Sequence, residues 1–510
     1  MNKSRSQKAS LNITTNALLE IVTMISTMIL PRFVLKYFGS SYNGIVSSAS
    51  QFLSLISLLT LGVTASTRVA LYQSLAKNDN HATSAIVRAT EKYMRKVGLV
   101  LLVYIIGLAI VYPLVVHTDF GFWDVSFLIF IVGASSFAEY YFGITYRTFL
   151  LADQCVYISN VFSIIALILN TGLSIFLITS GFSIQIVKLF SAMVFFLRPL
   201  LQNIYVTKKY SLDKHCEPDR SALDKRGDAT ALALANIVHD NTDIVVLTVF
   251  TDVKTISVYT IYNMVMNGLK KIQQVMTTGT EPIFGNMWAK KEYEAIKRNL
   301  AVFEFFITFF LSVVFSCAMV LLLPFVSIYT SGITDVEYVR PAYGIVICAA
   351  FIFLGLRAPY LSLVQGVGHY KETKIGAFIE AGINITLSVV LVNFIGMIGV
   401  AVGTLAANIF RTVQYAIYID NHIVARGKSV FIRKILWCLM NITIISVPIY
   451  HLSFEYASKG WLYWILTAVV VVLIALAFTT VSSLIFYRKD LKNSMTVGKN
   501  MLLRRRKKSA

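Results

Sequence analysis

An apolar segment of the chain carries four polar side chains near its middle. The segment is "ATALALANIVHDNTDIVVLTVF", residues 229–250, and the four side chains are Asn236, His239, Asp240 and Asp243. Their spacing of three or four residues places them along one face of a helix. Two carboxylates held this close in an apolar environment repel each other, so they bind Na⁺ or take up a proton readily. The spacing therefore makes these four residues a candidate ion-coupling site.

A similar polar stripe lies on the first apolar segment, where Asn16, Glu20, Thr23 and Thr27 follow one another at helical spacing. A carboxylate inside such a segment is costly, so Glu20 is a further candidate for ion coupling. For the two aspartates of the segment 229–250, three interpretations remain open. They pair with lysines on the next segment, they bind a cation during a transport cycle, or they bond to neighbouring helices.

The next apolar segment presents cations and amides. Asn263, Asn267, Lys270 and Gln274 recur every three or four residues, and Lys271 adjoins them. Both lysines lie midway along the segment, too deep for their ammonium groups to reach the membrane surface comfortably. Ammonium groups donate charge-assisted hydrogen bonds to compact anions such as pyrophosphate, whereas sugars need amides and hydroxyls. We therefore predict an anion site here, with structural pairing of the lysines as the alternative.

Several arginines also lie inside apolar segments. Arg32 lies near the predicted outer end of the first segment, and Arg357 lies towards the inner third of the tenth. Arg198 and Arg411 lie near predicted cytoplasmic ends, where a long cationic side chain can also extend to the interface. We predict that Arg32, Arg357 and Arg411 join the lysines in binding the anion.

These residues need helices that span a lipid bilayer. Of the 510 residues, 56% are hydrophobic and 14% are charged, whereas a soluble domain carries about 25% charged residues. Apolar runs of about 20 residues recur from end to end, each long enough to cross the hydrocarbon core as a helix. The sequence predicts an all-α polytopic membrane protein with about 14 transmembrane helices: 14–34, 44–66, 97–116, 125–146, 157–179, 183–204, 229–250, 255–282, 301–323, 338–364, 374–395, 398–419, 434–451 and 460–486.

Basic residues are distributed unevenly among the connections. Alternate connections, starting with the N-terminus, hold most of the 46 lysines and arginines, whereas the other set holds only Lys36, Lys254 and Lys459. This positive-inside pattern predicts that both termini are cytoplasmic, and it accounts for the net charge of +20. The basic tail at 504–508 is expected to lie on acidic head groups, so membrane lipids and not nucleic acid are the predicted partners.

An internal repeat relates the two halves of the chain. "YRTFLLADQCVYISNVFSIIALILNTGLSIFLI" from Tyr146 aligns with "YLSLVQGVGHYKETKIGAFIEAGINITLSVVLV" from Tyr360, an offset of 214 (146 to 360). Arg198 aligns with Arg411 at nearly the same offset. Two parallel six-helix repeats are a transporter architecture, with the substrate site between the halves. We predict an N-lobe (1–220), a C-lobe (221–425), and a further part with two helices and the basic tail (426–510).

The chain resembles the polysaccharide-unit flippases, the Wzx or polysaccharide-transport branch of the MATE-like MOP exporter superfamily. The resemblance covers the whole chain in length and number of spans. It is carried by "NALLEIVTMISTMILPRFVLKYFGSSYNGIVSSASQFLSLISLLTLG" and by its counterpart "ANIVHDNTDIVVLTVFTDVKTISVYTIYNMV". The shared motifs, P-R-F-x(5)-G-x(4)-G and D-x(2)-D-x(15)-Y, are diffuse.

The resemblance implies two six-helix bundles in a V, alternating access, and flipping of undecaprenyl-pyrophosphate-linked oligosaccharides across the bacterial plasma membrane. Two additional C-terminal helices are associated in that family with the lipid tail. A glycan polymerase and a priming glycosyltransferase are the implied protein partners. No catalytic residue and no cofactor are expected. Na⁺ or H⁺ is the candidate coupling ion, although an inside-negative membrane potential alone contributes about 2.3 kcal/mol per charge per 100 mV.

Other functions remain open. A MATE-type cation-coupled exporter of small molecules would line its cavity mainly with carboxylates, whereas cations are at least as prominent here. A membrane-embedded glycan-assembly enzyme would need a large external loop or a metal-binding Asp-x-Asp site, and "DNTD" lies in the middle of a span. A peptidoglycan-precursor flippase would carry several arginines on helix 1, where this chain has only Arg32. The five cysteines have no metal-ligand spacing, so we predict no metal site.

Overall fold

The structure is a computed structural model, and it describes residues 5–77, 79–116, 118, 120–210, 212–213, 216–219, 237, 241–277 and 279–492. These residues contain helices and connections but no strand, and eleven of the helices are long and apolar enough to cross a membrane. The prediction of an all-α multi-pass membrane protein is therefore confirmed. The number of 14 spans stays a prediction, because the predicted span 229–250 lies partly outside the described residues.

The chain divides into two compact units, of which the first comprises Met1–Thr260 together with Gly332–Val336. A π-helical turn, Glu139–Gly143, joins its fourth and fifth helices. Its helices are α1 (Arg5–Ser54), α2 (Leu61–Ala76), α3 (Asn80–Val115), α4 (Phe122–Ala138), α5 (Ile144–Ala152), α6 (Val156–Thr179), α7 (Ile184–Tyr210), α8 (Asn241–Phe250) and the first turns of α9 (Val253–Thr277).

The second unit comprises Ile261–Ser331 and Glu337–Ala510. Besides the rest of α9, its helices are α10 (Thr280–Ala289), α11 (Tyr293–Tyr329), α12 (Pro341–Leu356), α13 (Ala358–Gly366), α14 (Tyr370–Ile395), α15 (Met397–His422), α16 (Lys428–Ala457) and α17 (Trp461–Phe486).

The element α1 consists of two helical segments that meet at a kink, and it contains the first predicted span and much of the second. It bends sharply at Gly39, whose φ of +83° suits a residue without a side chain. Beyond the bend the helix runs only to Ser54, and a short 3₁₀ turn, Leu55–Leu59, separates it from α2. The predicted span 44–66 is therefore divided, because the hydroxyl of Thr60 bonds to the carbonyl of Ser57 at 2.9 Å and closes that turn.

Helix ends in the two units recur at the interval of the sequence repeat. Both ends of α5 and α13 are 214 residues apart (144 to 358 and 152 to 366). The first residues of α6 and α14 are also 214 apart (156 to 370), and those of α7 and α15 are 213 apart (184 to 397). The repeat inferred from short sequence matches is thus present in the helix boundaries of the described residues.

Polar side chains hold α1 against α6 and against the connection that precedes α6 in the first unit. Near the N-terminus, Lys8 Nζ donates to the carbonyl of Asp153 at 3.0 Å and forms an ion pair with its carboxylate at 3.3 Å. Further along, the hydroxyl of Thr171 donates to Ser26 Oγ at 3.0 Å. Small hydroxyl side chains allow close helix packing in lipid while satisfying polar groups.

In the second unit the two C-terminal helices pack against α11. Trp437 of α16 stacks on Phe305 with ring centroids 5.9 Å apart. On α17, Trp464 Nε1 donates to the carbonyl of Leu321 at 3.0 Å. The two helices that have no counterpart in the repeat, α16 and α17, are therefore part of the core of this unit.

The division into units differs from the lobe boundary predicted at residue 220. The helix α8 and the first turns of α9 belong to the first unit because they pack on α1. Ser54 Oγ donates to Asn241 Oδ1 at 2.7 Å, and Asn43 Nδ2 donates to Ser257 Oγ at 2.8 Å. The boundary at 220, which follows from the repeat, remains a prediction.

Candidate functional site

The helix α9 has one buried face, formed by Tyr262, Met266 and Gln273. The predicted polar stripe lies beside this face and is half-buried or exposed: Asn263, Asn267, Lys270 and Gln274. Lys271 lies opposite the buried face, one turn from Val275, which is 74% exposed. The two lysines therefore lie on different faces of α9.

A hydrogen bond joins α9 to the end of α12. Gln273 Nε2 donates to the carbonyl oxygen of Gly355 at 2.9 Å. Gly355 lies two residues before Arg357, and Gln273 lies three residues after Lys270 on the next turn of α9. The structure thus places the helix that carries Lys270 against the helix end that carries Arg357, within one unit.

Arg357 belongs to a buried cluster in which two arginines share one carboxylate. Its Nη1 bonds to Glu380 Oε1 of α14, and Arg411 Nε of α15 lies 3.4 Å from Glu380 Oε2. The side chains of Glu380 and Arg411 are 4% and 2% exposed. Two guanidinium groups and one carboxylate leave one positive charge, in a setting where the cost of burying ions is high.

Arg411 is held by more than Glu380. Its guanidinium donates to the carbonyl of Thr373 at 3.0 Å, to Gln414 Oε1 at 2.5 Å and to the hydroxyl of Tyr415 at 2.6 Å. It also lies over the Tyr415 ring, 4.1 Å from the centroid. The alternative considered for Arg411, a side chain extended to the membrane interface, does not describe this geometry, because the guanidinium is enclosed by protein. Its predicted role in binding substrate remains a prediction.

The repeat counterpart of Arg411 in the first unit is also paired. Arg198 Nη2 on α7 lies 2.5 Å from Glu139 Oε2, which belongs to the π-helical turn. The two arginines therefore occupy matched positions but take their carboxylates from different helices. The partner in the second unit comes from α14, whereas the partner in the first comes from the end of α4.

The other predicted residues of the first unit lie on α1 and α8. Arg32 is half-buried and Glu20 is exposed. Asp243 is buried and accepts a hydrogen bond from the hydroxyl of Tyr259 at 3.4 Å. Three predicted ion-coupling residues lie outside the described residues: Asn236, His239 and Asp240. The ion-coupling site therefore stays a prediction.

Two polar clusters were not singled out from the sequence, and one of them surrounds Glu304 of α11. Arg426 bonds to both of its carboxylate oxygens at 2.7 Å, and Lys434 Nζ bonds to one of them at 2.8 Å. Burial disfavours the charge on Arg426, but its bonds to Glu304 more than compensate and raise its pKa above the ordinary value. The sequence offered one signal for this cluster, the carboxylate of Glu304 within the predicted span 301–323.

The second cluster lies at the predicted external end of the helices. The backbone N–H and the hydroxyl of Ser40 donate to the carboxylate of Asp335 at 2.8 and 2.6 Å. Asn43 Nδ2, one turn further on, donates to Ser257 and, at 3.3 Å, to Thr260. Sequence spacing could not reveal these contacts, because they join segments more than 200 residues apart.

A largely apolar cavity of about 230 Å³ lies between α15 and α16, and none of Arg357, Glu380 and Arg411 lines it. Its walls include Val413, Ile417 and Phe431, and Arg426 borders it while bonded to Glu304. Hydrocarbon walls of this kind do not suit a pyrophosphate, so we place no anion there.

No protein-family model matches the sequence, and no curated protein matches it. Among solved structures, the chain is similar to the lipid II flippase MurJ in an inward closed conformation. That similarity has a TM-score of 0.70 at 16% identity and covers 92% of this chain and 99% of that one.

Two MATE transporters are also similar. An inward-facing multidrug resistance MATE transporter of the MOP superfamily gives a TM-score of 0.56 at 12% identity, over 82% of this chain and 94% of that one. The eukaryotic MATE transporter AtDTX14 gives 0.57 at 13% identity, over 86% and 98%. At these identities the likeness shows the fold, which is MATE-like as predicted and is also similar to that of MurJ.

Proposed function

We propose that the chain is a flippase that moves undecaprenyl-pyrophosphate-linked oligosaccharides across the bacterial plasma membrane by alternating access. The fold supports this proposal, since its structural neighbours are described as a lipid II flippase and as transporters. Both termini are cytoplasmic in this proposal, and the chain catalyses no covalent step. A glycan polymerase and a priming glycosyltransferase are its proposed partners.

The observation that carries the proposal is the excess positive charge of the arginine cluster in the second unit. Arg357, Glu380 and Arg411 form a buried cluster with one charge in excess, next to the helix that carries Lys270. Pyrophosphate loses its hydration on entering a membrane protein, and guanidinium and ammonium groups replace that hydration with charge-assisted hydrogen bonds. In a low-dielectric site such cations also attract an anionic substrate.

The proposed substrate site combines cations for the pyrophosphate with amides for the sugars. We assign the amides to the accessible stripe of α9, where they alternate with Lys270. The full proposed set is Lys270, Lys271, Arg32, Arg357, Arg411, Asn263, Asn267 and Gln274.

A second candidate function is a MATE-type cation-coupled exporter, and the buried carboxylate of Asp243 on α8 favours it. A carboxylate at that position could bind Na⁺ or a proton and drive export of a small molecule. In either function, the proposed coupling residues are Asp240, Asp243, His239, Asn236 and Glu20, with Na⁺ or H⁺ as the coupling ion.

A flipping assay in proteoliposomes tests the proposed function. The wild-type protein is expected to move undecaprenyl-pyrophosphate sugars between leaflets, and Lys270→Ala/Lys271→Ala is expected to slow this at least tenfold, since charge-assisted bonds to phosphate are lost. The matched control is Lys371→Ala, which removes an exposed lysine at the start of α14 and should flip normally.

The same vesicles test ion coupling and the competing function. Asp240→Asn is expected to abolish any dependence of flipping on a Na⁺ or H⁺ gradient. Normal flipping by the double lysine variant would remove the anion site from the proposal. Absence of flipping by the wild type, together with gradient-driven export of organic cations, would establish the MATE-type function instead.

A further inference from the structure

We propose that Glu380 is a built-in competitor for the substrate phosphate. In the empty protein it holds the guanidinium of Arg357, and the phosphate of the transported lipid takes its place there. This inference rests on the proposed function, because it concerns the same anion site. It assigns different roles to the two arginines that share the carboxylate.

The two arginines of the cluster are not equivalent. The side chain of Arg357 is 13% exposed, whereas that of Arg411 is 2% exposed. Arg411 donates to Thr373, Gln414 and Tyr415 in addition to facing Glu380. Arg357 lies at the junction of α12 and α13, where one helix ends and the next begins. Arg357 is therefore the arginine that can reach a ligand, and Arg411 is fixed.

This difference makes an exchange of partners physically reasonable. If Glu380 had only one arginine, loss of that partner would leave a buried, unpaired carboxylate, which is strongly destabilising. Because Arg411 stays beside Glu380, Arg357 can turn to a phosphate while the carboxylate keeps a counter-ion. Within the proposed substrate site, Arg357 is thus the group that contacts the phosphate directly, whereas Arg411 contributes its charge from its fixed place beside Glu380.

The first unit lacks the same arrangement among its described residues. Arg198 and Glu139 form a one-to-one pair. The residue 214 positions before Arg357 is Gly143, which has no side chain to share the carboxylate (143 to 357). The excess positive charge of the Arg357–Glu380–Arg411 cluster therefore has no counterpart at the Arg198–Glu139 pair, and this pair provides a matched control.

A competing carboxylate serves transport because a transporter must release its substrate as well as bind it. Sites that conduct ions obey the same requirement, with binding favourable enough for entry and weak enough for exit. Glu380 weakens the hold of Arg357 on phosphate and recovers the arginine after release. Its removal should therefore strengthen binding and slow turnover, a combination that simple structural damage does not produce.

The test measures binding of farnesyl pyrophosphate to the purified full-length protein, with farnesol as the uncharged comparison. Glu380→Gln is expected to lower the Kd for farnesyl pyrophosphate about tenfold, the size of one charge-assisted hydrogen bond, and to slow flipping. Arg357→Gln is expected to raise that Kd about tenfold. Glu139→Gln, the control in the first unit, should leave the Kd unchanged.

A second variant covers the case in which Glu380→Gln does not fold. Glu380→Gln/Arg411→Gln removes one buried charge of each sign, and it should bind farnesyl pyrophosphate more tightly than Arg411→Gln alone, because only the competing carboxylate differs between these two variants. An unchanged or raised Kd in every folded variant that lacks Glu380, each compared with the protein that differs from it only by Glu380, would overturn the inference alone if wild-type flipping is intact. If the wild type neither binds farnesyl pyrophosphate nor flips the lipid-linked sugar, the proposed function is wrong and the inference falls with it.

Discussion

The guanidinium of Arg411 fits its site because residue 376, on the facing helix α14, has no side chain. A Cβ at Gly376 would lie 2.3 Å from Arg411 Nη1 and 2.3 Å from the amide of Gln414. Arg411 Nη1 donates a hydrogen bond to Gln414 Oε1, so neither side chain can move away without breaking that bond. The glycine is therefore part of the arginine cluster, although it carries no polar group.

Gly376→Ala is expected to destabilise the protein by about 1–3 kcal/mol, since overpacking forces buried groups to shift. The measurement is thermal unfolding in detergent. Gly382→Ala on the same helix is the control, because a Cβ there would meet nothing within 4 Å. Equal unfolding temperatures for the two variants would contradict the close packing described here.

Individual charged residues could be recognised from the sequence, but their partners could not. Arg357, Glu380 and Arg411 each lie inside an apolar segment, where an ionised side chain is costly enough to attract notice. Their pairing depends on the ends of α12, α14 and α15 meeting, and no periodicity within one segment contains that information. The same limit applies to the two lysines. The sequence alone does not show that Lys270 lies beside the buried face of α9 and that Lys271 lies opposite it.

At the scale of helices, Glu304 fixes the position of α16. Its carboxylate on α11 bonds to Arg426, which lies just before α16, and to Lys434 within it. All three groups are largely buried. A shared carboxylate of this kind joins three chain segments at one point.

Glu304→Gln should destabilise the protein by about 3–5 kcal/mol, because it leaves two buried cations without their counter-ion. The expected result is a lower unfolding temperature and faster proteolysis between α15 and α16. Glu294→Gln, an exposed site on the same helix, is the control and should stay within about 0.5 kcal/mol of the wild type. Wild-type stability of the Glu304 variant would mean that α16 is held by apolar packing instead.

The helices themselves were largely predictable from the sequence, since long apolar runs leave few alternatives in a membrane. Where the observed helices differ from the predicted spans, the causes are local. The bend in α1 depends on Gly39 and the break after Ser54 on the turn closed by Thr60, and neither interrupts the apolar pattern. The helix α9 was predicted as a span, but it is not among the eleven helices that are long and apolar enough to cross a membrane.

At the scale of the whole molecule, alternating access requires the predicted external contacts to separate and re-form. The bond between Asn43 and Ser257 is one of these contacts. Asn43→Cys/Ser257→Cys is expected to stop flipping under oxidising conditions and to recover it on reduction, as measured in proteoliposomes. The physical reason is that a covalent link there prevents the start of α9 from separating from α1.

The control for this experiment is a cysteine pair whose partners need not separate. Ser26→Cys/Thr171→Cys joins α1 to α6, where the two hydroxyls are 3.0 Å apart. Flipping should continue in this oxidised variant. Continued flipping by the fully cross-linked 43–257 variant would instead exclude opening at that contact as a step of transport.

The fold class and the repeat could be predicted for the molecule as a whole, because both leave a signal spread over hundreds of residues. The division of the chain into two packed units could not be predicted from the sequence. The start of the predicted C-lobe packs through Asn241 and Ser257 onto α1, and these contacts join residues that the sequence places far apart.

The bond between Asn43 and Ser257 joins two residues 214 positions apart, the interval at which the helices α5 and α13 recur. Closing a loop of that length carries a large entropic cost, because the chain between the two residues must be brought back on itself. This bond is therefore expected to form late in folding, after the helices between Asn43 and Ser257 have packed.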